Sequence, residues 1–141
     1  MDDAALETAR HAFDFWLGEW EVSNPEGRVL GTNRITPLFG GLVIREEWTG
    51  VRGVQGTSLN CYAADREAWH QTWMDSTGDL LLLDGGLRDG SMVMEGTADE
   101  TGHRITWTPM PETGGLRQHW ETREHGAQWQ TAFDGRYRRI R

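Results

Sequence analysis

Polar and apolar positions follow one period at the start of the chain and another over the rest. Up to Leu17, Leu6, Ala9 and Phe13 recur at helical spacing, Asp2 or Asp3 can supply an N-cap, and Gly18 is a stop. This predicts a short helix over about residues 3–16. From Glu19 to about residue 140 the helical period disappears. Short strand-type runs alternate with turn chemistry at 24–27, 37–41, 50–53, 64–67, 76–78, 88–90, 99–102, 111–115 and 124–126. Breaks at such intervals predict about ten antiparallel strands. No alternation of strand with helix occurs, which disfavours a doubly wound parallel sheet. A helix followed by a meander of hairpins suits an up-and-down barrel, because closure removes the exposed sheet edges. The expected fold is therefore mainly β, one barrel domain over residues 1–141.

In a barrel, alternate residues point inward, so the charged face of a strand marks its outside. Arg117, His119, Glu121 and Arg123 face out, which turns Leu116, Gln118, Trp120 and Thr122 in. By the same rule Leu42, Ile44, Glu46 and Trp48 form one inner set, and Trp69, Gln71, Trp73 and Asp75 another. Ile105 with Trp107, and Trp129 with Thr131 and Phe133, complete it. Six tryptophans are thus expected inside: Trp48, Trp69, Trp73, Trp107, Trp120 and Trp129. Glu46, Gln71, Asp75 and Gln118 share that surface, joined by Ser58, Asn60 and Tyr62 of the fourth strand. Polar groups in a dry core each need a partner. An aromatic-walled cavity with a few convergent polar groups removes the difficulty. Rim positions, or mutual pairing, are the alternative. A slip of one residue would exchange Glu46 for Glu47.

Composition narrows the function classes. The chain carries eight tryptophans against two tyrosines and four phenylalanines, and a net charge of −8 with no lysine. An acidic surface without a basic cluster argues against nucleic-acid binding and against a polybasic membrane patch. The acidic start and the lack of a long apolar run read as a cytoplasmic protein rather than a secreted or membrane-spanning one. Cys61, the only cysteine, excludes an intramolecular disulfide and a cysteine zinc site. If Leu80, Leu82, Met92 and Met94 face in, then Leu81, Leu83, Val93 and Cys61 form an apolar outer stripe. Such a stripe suits a homodimer interface, or a seat for the N-terminal helix.

Phe13-Asp14-Phe15-Trp16-Leu17-Gly18-Glu19-Trp20 stands where helix gives way to strand, and Gly18-x-Trp20 within it resembles the G-x-W signature of lipocalin-like (calycin) barrels. The resemblance implies that Trp20 plugs the closed end and stacks on an arginine of the last strand, from Arg136, Arg138 or Arg139. Together with residues 41–48, 69–75 and 133–137, the string resembles a bacterial family of lipocalin-like domains of uncharacterised function, which implies the barrel and no reaction. Nitrobindin, a haem barrel, has a related architecture. A haem needs an inward axial histidine. His70 and His119 fall on outer faces, His103 and His125 at strand ends and His11 on the helix, so no cofactor and no metal is expected.

Glu46 is the first candidate for chemistry, a carboxylate among Leu42, Ile44 and Trp48 whose desolvation favours its neutral form. Structural pairing with an interior amide or arginine is the competing reading. Asp75 could partner it as acid and base, or simply cap a turn beside Ser76. The expected function is binding of a small, largely apolar or aromatic molecule by Trp48, Ser58, Asn60, Tyr62, Trp69, Gln71, Trp73, Trp107, Gln118, Trp120 and Trp129. A cofactor-independent isomerase, cyclase or hydratase using Glu46 is the alternative, and a dimeric scaffold with a filled core the second.

Overall fold

In the computed structural model, which describes residues 1–140, the Asp2 carboxylate accepts from the Ala5 N–H at 2.7 Å and starts helix α1, Asp3–Arg10. The helix ends sooner than the periodicity predicts. A tighter 3-10 turn, Asp14–Trp16, follows it. Side chains three apart eclipse in that geometry, and Phe13 accordingly stacks on Trp16 with centroids 4.7 Å apart.

Ten strands then run antiparallel: β1 (Gly18–Ser23), β2 (Val29–Leu38), β3 (Val43–Gly50), β4 (Gln55–Ala63), β5 (Ala68–Asp75), β6 (Leu80–Arg88), β7 (Ser91–Ala98), β8 (Thr101–Met110), β9 (Gly115–Arg123) and β10 (Gln130–Arg139). Each pairs with the next, and β1 pairs with β10, so the barrel is closed. The nine expected turns separate them. No helix among the described residues is long and apolar enough to cross a membrane.

The two ends of the barrel differ. At the end where β1 begins and β10 finishes, Phe13, Trp16, Trp20, Trp69 and Trp107 are fully or almost fully buried. Arg139 lays its guanidinium over the Trp20 ring at 4.2 Å and donates to the Leu17 and Phe15 carbonyls at 2.9 and 3.4 Å. Arg136 and Arg138 pair instead with Asp134 and Glu21. Indole N–H groups tie down the N-terminal segment, Trp69 donating to the Ala9 carbonyl at 3.0 Å and Trp20 to that of Trp16 at 2.8 Å. The Ala9 carbonyl also accepts from the Ala12 N–H at 3.3 Å, so the Trp69 indole adds a second donor where the helix ends.

Expected inward positions are corrected at three places in the chain. Leu42 precedes β3 and is 48% exposed. In β6 the parity is reversed: Leu81 and Leu83 are buried, while Leu80 and Leu82 are exposed. Leu80–Leu83 has no polar residue to mark its outer face, so pairing decides. Leu81 lies opposite Trp73 and Leu83 opposite Gln71, and directly opposed residues share a face. Met92 and Met94 are buried as expected. The outer apolar stripe therefore runs through Leu59, Met74, Leu80 and Leu82, and α1 leaves these leucines exposed. Third, the register of β10 on β9 shifts between Thr131 and Phe133. That extra residue flips the alternation. Phe133 points in, whereas Thr131 meets His119 on the outside, and Trp129 lies between the Arg104 and Arg123 guanidinium groups, 4.4 Å from each.

Candidate functional site

The site lies toward the other end of the barrel, where hairpin loops leave the interior uncovered. A cavity of about 90 Å³ is lined by Glu46, Gln71, Gln118 and Tyr137 on its polar side and by Trp48, Trp73, Trp120 and Phe133 toward the mouth, with Leu81 and Ile105 completing the wall. The mouth rings lean over bare backbone. A Cβ on Gly31 would stand 2.8 Å from the Trp48 ring, and one on Gly56 2.1 Å from that of Trp73. Glycine there lets each indole lie along the wall instead of across the opening. Two indole N–H groups are already used, Trp73 donating to Asp75 and Trp120 to His103, both at 3.1 Å.

Polar side chains behind the cavity form a continuous chain. Glu46 accepts from Asn33 Nδ2 and from Ser58 Oγ, each at 2.7 Å. Asn33 Nδ2 also donates to the Tyr137 hydroxyl at 2.7 Å, which donates onward to Gln118 Oε1 at 2.5 Å. On the other side Asn60 Nδ2 donates to Ser58 Oγ at 2.9 Å and to the Ile44 carbonyl at 3.2 Å, while Gln71 Nε2 donates to Asn60 Oδ1 at 2.8 Å. The Ile44 carbonyl can only accept, which fixes the Asn60 amide and then that of Gln71. Gln71 Oε1 is consequently left for the cavity. On the other arm the same logic leaves Gln118 Nε2.

Burial pushes the Glu46 carboxyl up to about 7, although the Asn33 and Ser58 hydrogen bonds favour its charged form. Burial, reinforced by the Glu46 charge, also raises the Tyr137 phenol. Asn33 Oδ1 is buried without a partner. A half-turn of that amide would offer Oδ1 to a protonated Glu46, at the loss of the Asn33 donation to Tyr137. Among the described residues no arginine lines the cavity, and none of them supplies a counter-ion to Glu46 there.

The structure divides the expected site residues into groups. Glu46, Trp48, Gln71, Trp73, Gln118 and Trp120 meet around the cavity. Ser58 and Asn60 stand behind it and hold Glu46 and Gln71. Tyr62, Trp69 and Trp107 belong to the closed end: Tyr62 reaches Met1 Sδ at 3.7 Å, and Trp69 and Trp107 pack edge-on against Phe13. Trp129 lies outside. Asp75 is the turn cap. Burial alone would raise its carboxyl, but hydrogen bonds from Thr77, Trp73 and Asp79 outweigh that and hold it below the ordinary range. It makes no pair with Glu46.

Asn33, Tyr137 and His103 were not among the expected site residues. Asn33 was readable from the alternation of Gly31, Asn33 and Ile35 with Thr32 and Arg34, and Tyr137 from its place between Arg136 and Arg138. His103 faces the mouth from β8 as the acceptor of the Trp120 N–H, and burial lowers its pKa. The outer histidines are engaged elsewhere, His70 with Asp84 and His119 with Thr131. Among the described residues no three His, Cys, Asp or Glu side chains are grouped to hold a metal ion. Compared with models of known protein families and with curated proteins, the chain matches none.

Proposed function

We propose that the protein binds a small, largely apolar or aromatic molecule carrying one or two polar groups in the cavity between Glu46 and the Trp48, Trp73 and Trp120 rings. The observation that carries this reading is the coexistence of a void with unspent polar atoms, Gln71 Oε1 and Gln118 Nε2, on its wall. A filled scaffold core would have no use for either. Cavities of about 150 Å³ hold a benzene, so about 90 Å³ takes only the head of a larger ligand. The remainder has room above. A depression of about 470 Å³ over Asp79, Leu80, Asp99 and His103 shares Trp73, Leu81 and Trp120 with the cavity. It opens where β6 and β7 part, since their pairing ends at Asp84 and Glu95 although both strands continue toward the mouth.

The stacking of Arg139 on Trp20 beside Gly18 supports reading the closed barrel as calycin-like. We further read the exposed Leu59, Met74, Leu80 and Leu82 stripe as the best candidate for self-association. The second functional reading, a cofactor-independent acid–base enzyme, is favoured by Glu46, whose pKa of about 7 suits proton transfer near neutrality. Gln71 and Gln118 would then hold the reacting oxygen.

Native mass spectrometry of the purified protein, with tryptophan emission recorded against a library of small apolar molecules, tests the binding reading. A retained small molecule, or saturable quenching, is expected. Bare protein together with unchanged emission across the library contradicts it. Glu46→Gln separates the two readings for a neutral ligand, since a binder keeps its affinity and an enzyme loses turnover.

A further inference from the structure

Four features of the cavity concern charge. First, Glu46, the one carboxyl on its wall among the described residues, is 4% exposed, and the described groups that contact it are neutral: Asn33 from β2, Ser58 from β4 and, through Asn33, Tyr137 from β10. Each carboxylate oxygen accepts one hydrogen bond in the network, and a carboxylate oxygen has room for a second. Second, the rings around the mouth stand on separate strands, Trp48 on β3, Trp73 on β5, Trp120 on β9 and Phe133 on β10. With the Trp73 and Trp120 N–H groups bound to Asp75 and His103, those two indoles offer ring surface and no donor. Ring faces carry partial negative charge and attract cations. Third, Gln71 Oε1 adds an acceptor, and Gln118 Nε2 is an amide nitrogen that the network leaves without a hydrogen bond. Fourth, the depression above the mouth is lined by Asp79 and Asp99. The one basic group among its described residues, His103, is held toward its neutral form by burial.

We infer that the cavity selects organic ammonium ions, with the cationic nitrogen held between the Glu46 carboxylate and the Trp48, Trp73 and Trp120 rings. This rests on the binding reading above and names its ligand class. A buried carboxylate with no arginine beside it among the described residues, and the faces of the Trp73 and Trp120 rings, whose N–H groups are already bound, are each complementary to a weakly hydrated cation. An anion would meet Glu46 with no arginine to offset it, and a neutral guest would leave the carboxylate charge unpaired.

Tetramethylammonium and tert-butanol have the same heavy-atom count and a similar tetrahedral shape; only the first is charged and only the second has a hydroxyl to donate to Glu46, so tighter binding of the first reports the charge. Isothermal titration of the full chain at about pH 8, where Glu46 is ionised, should give about tenfold tighter binding of tetramethylammonium. The preference should fall as the pH is lowered past the Glu46 titration, and in Glu46→Gln it should stay at that reduced level at every pH. Wild-type protein supplies a second readout. Near pH 7, cation binding should release protons from Glu46, so the heat should vary with the ionisation enthalpy of the buffer. Equal or tighter binding of tert-butanol, or heats independent of buffer, overturns the cation inference and leaves the binding reading standing. No binding of either probe overturns both.

Discussion

Glu46 is the residue on which chemistry and stability meet. Its partners were not legible in the sequence: alternation marks the inner face of β3, but the Asn33, Ser58 and Tyr137 contacts come from strands far apart along the chain. Register alone brings them together. The pH dependence follows from the direction of the shift. The folded pKa, about 7, lies above the ordinary value of 4.5, so the folded protein binds the proton more tightly than the unfolded chain. The contribution of this group to stability is then fully present below about pH 4.5 and is lost as the pH rises through 7. The full change is on the order of 3 kcal/mol. Relative to Glu46→Gln, wild-type protein should lose melting temperature between about pH 5 and pH 8. Taking the difference between the two proteins removes the titration of His11 and His103 common to both. Parallel melting curves across that range would show that Glu46 ionises normally.

At the scale of elements, the turns were readable because each carries its own residues, and so ten strands follow directly. Facing was readable only where charge marks one side. In β9 the outward Arg117, His119 and Glu121 orient the strand, and Leu116, Gln118 and Trp120 lie inside. In β6 nothing marks Leu80–Leu83, and in β10 a bulge reverses the alternation between Trp129 and Phe133. Bulges change facing through one inserted residue, and no side-chain pattern there announces it. The β6 facing makes a paired prediction. Leu83→Ala, at a fully buried position opposite Gln71, should cost about 2–5 kcal/mol in chemical denaturation. Leu82→Ser, at a position 52% exposed, should stay within about 0.5 kcal/mol of wild type. The reverse order would restore the facing expected from sequence alone.

The whole molecule is a barrel with one end built for stability and the other for access. Trp16, Trp20, Trp69 and Trp107 with Phe13 fill the first end, and Arg139 fastens the N-terminal segment across it. Trp48, Trp73 and Trp120 surround the second, half-buried, with Trp48 and Trp73 seated beside glycines. The tryptophan excess thus divides between plug and mouth, with Trp129 clamped outside by two arginines. The claim that the mouth leads to a binding cavity is tested most directly by filling it. Leu81 is almost fully buried and borders both the cavity and the depression above. Leu81→Trp adds a ring where the void has room for it, and an unchanged circular dichroism spectrum would verify folding. In isothermal titration, tetramethylammonium or tert-butanol should saturate a single site on wild-type protein, and neither should bind folded Leu81→Trp. Binding that persists unchanged in Leu81→Trp would contradict the claim, as would wild-type protein that binds neither molecule.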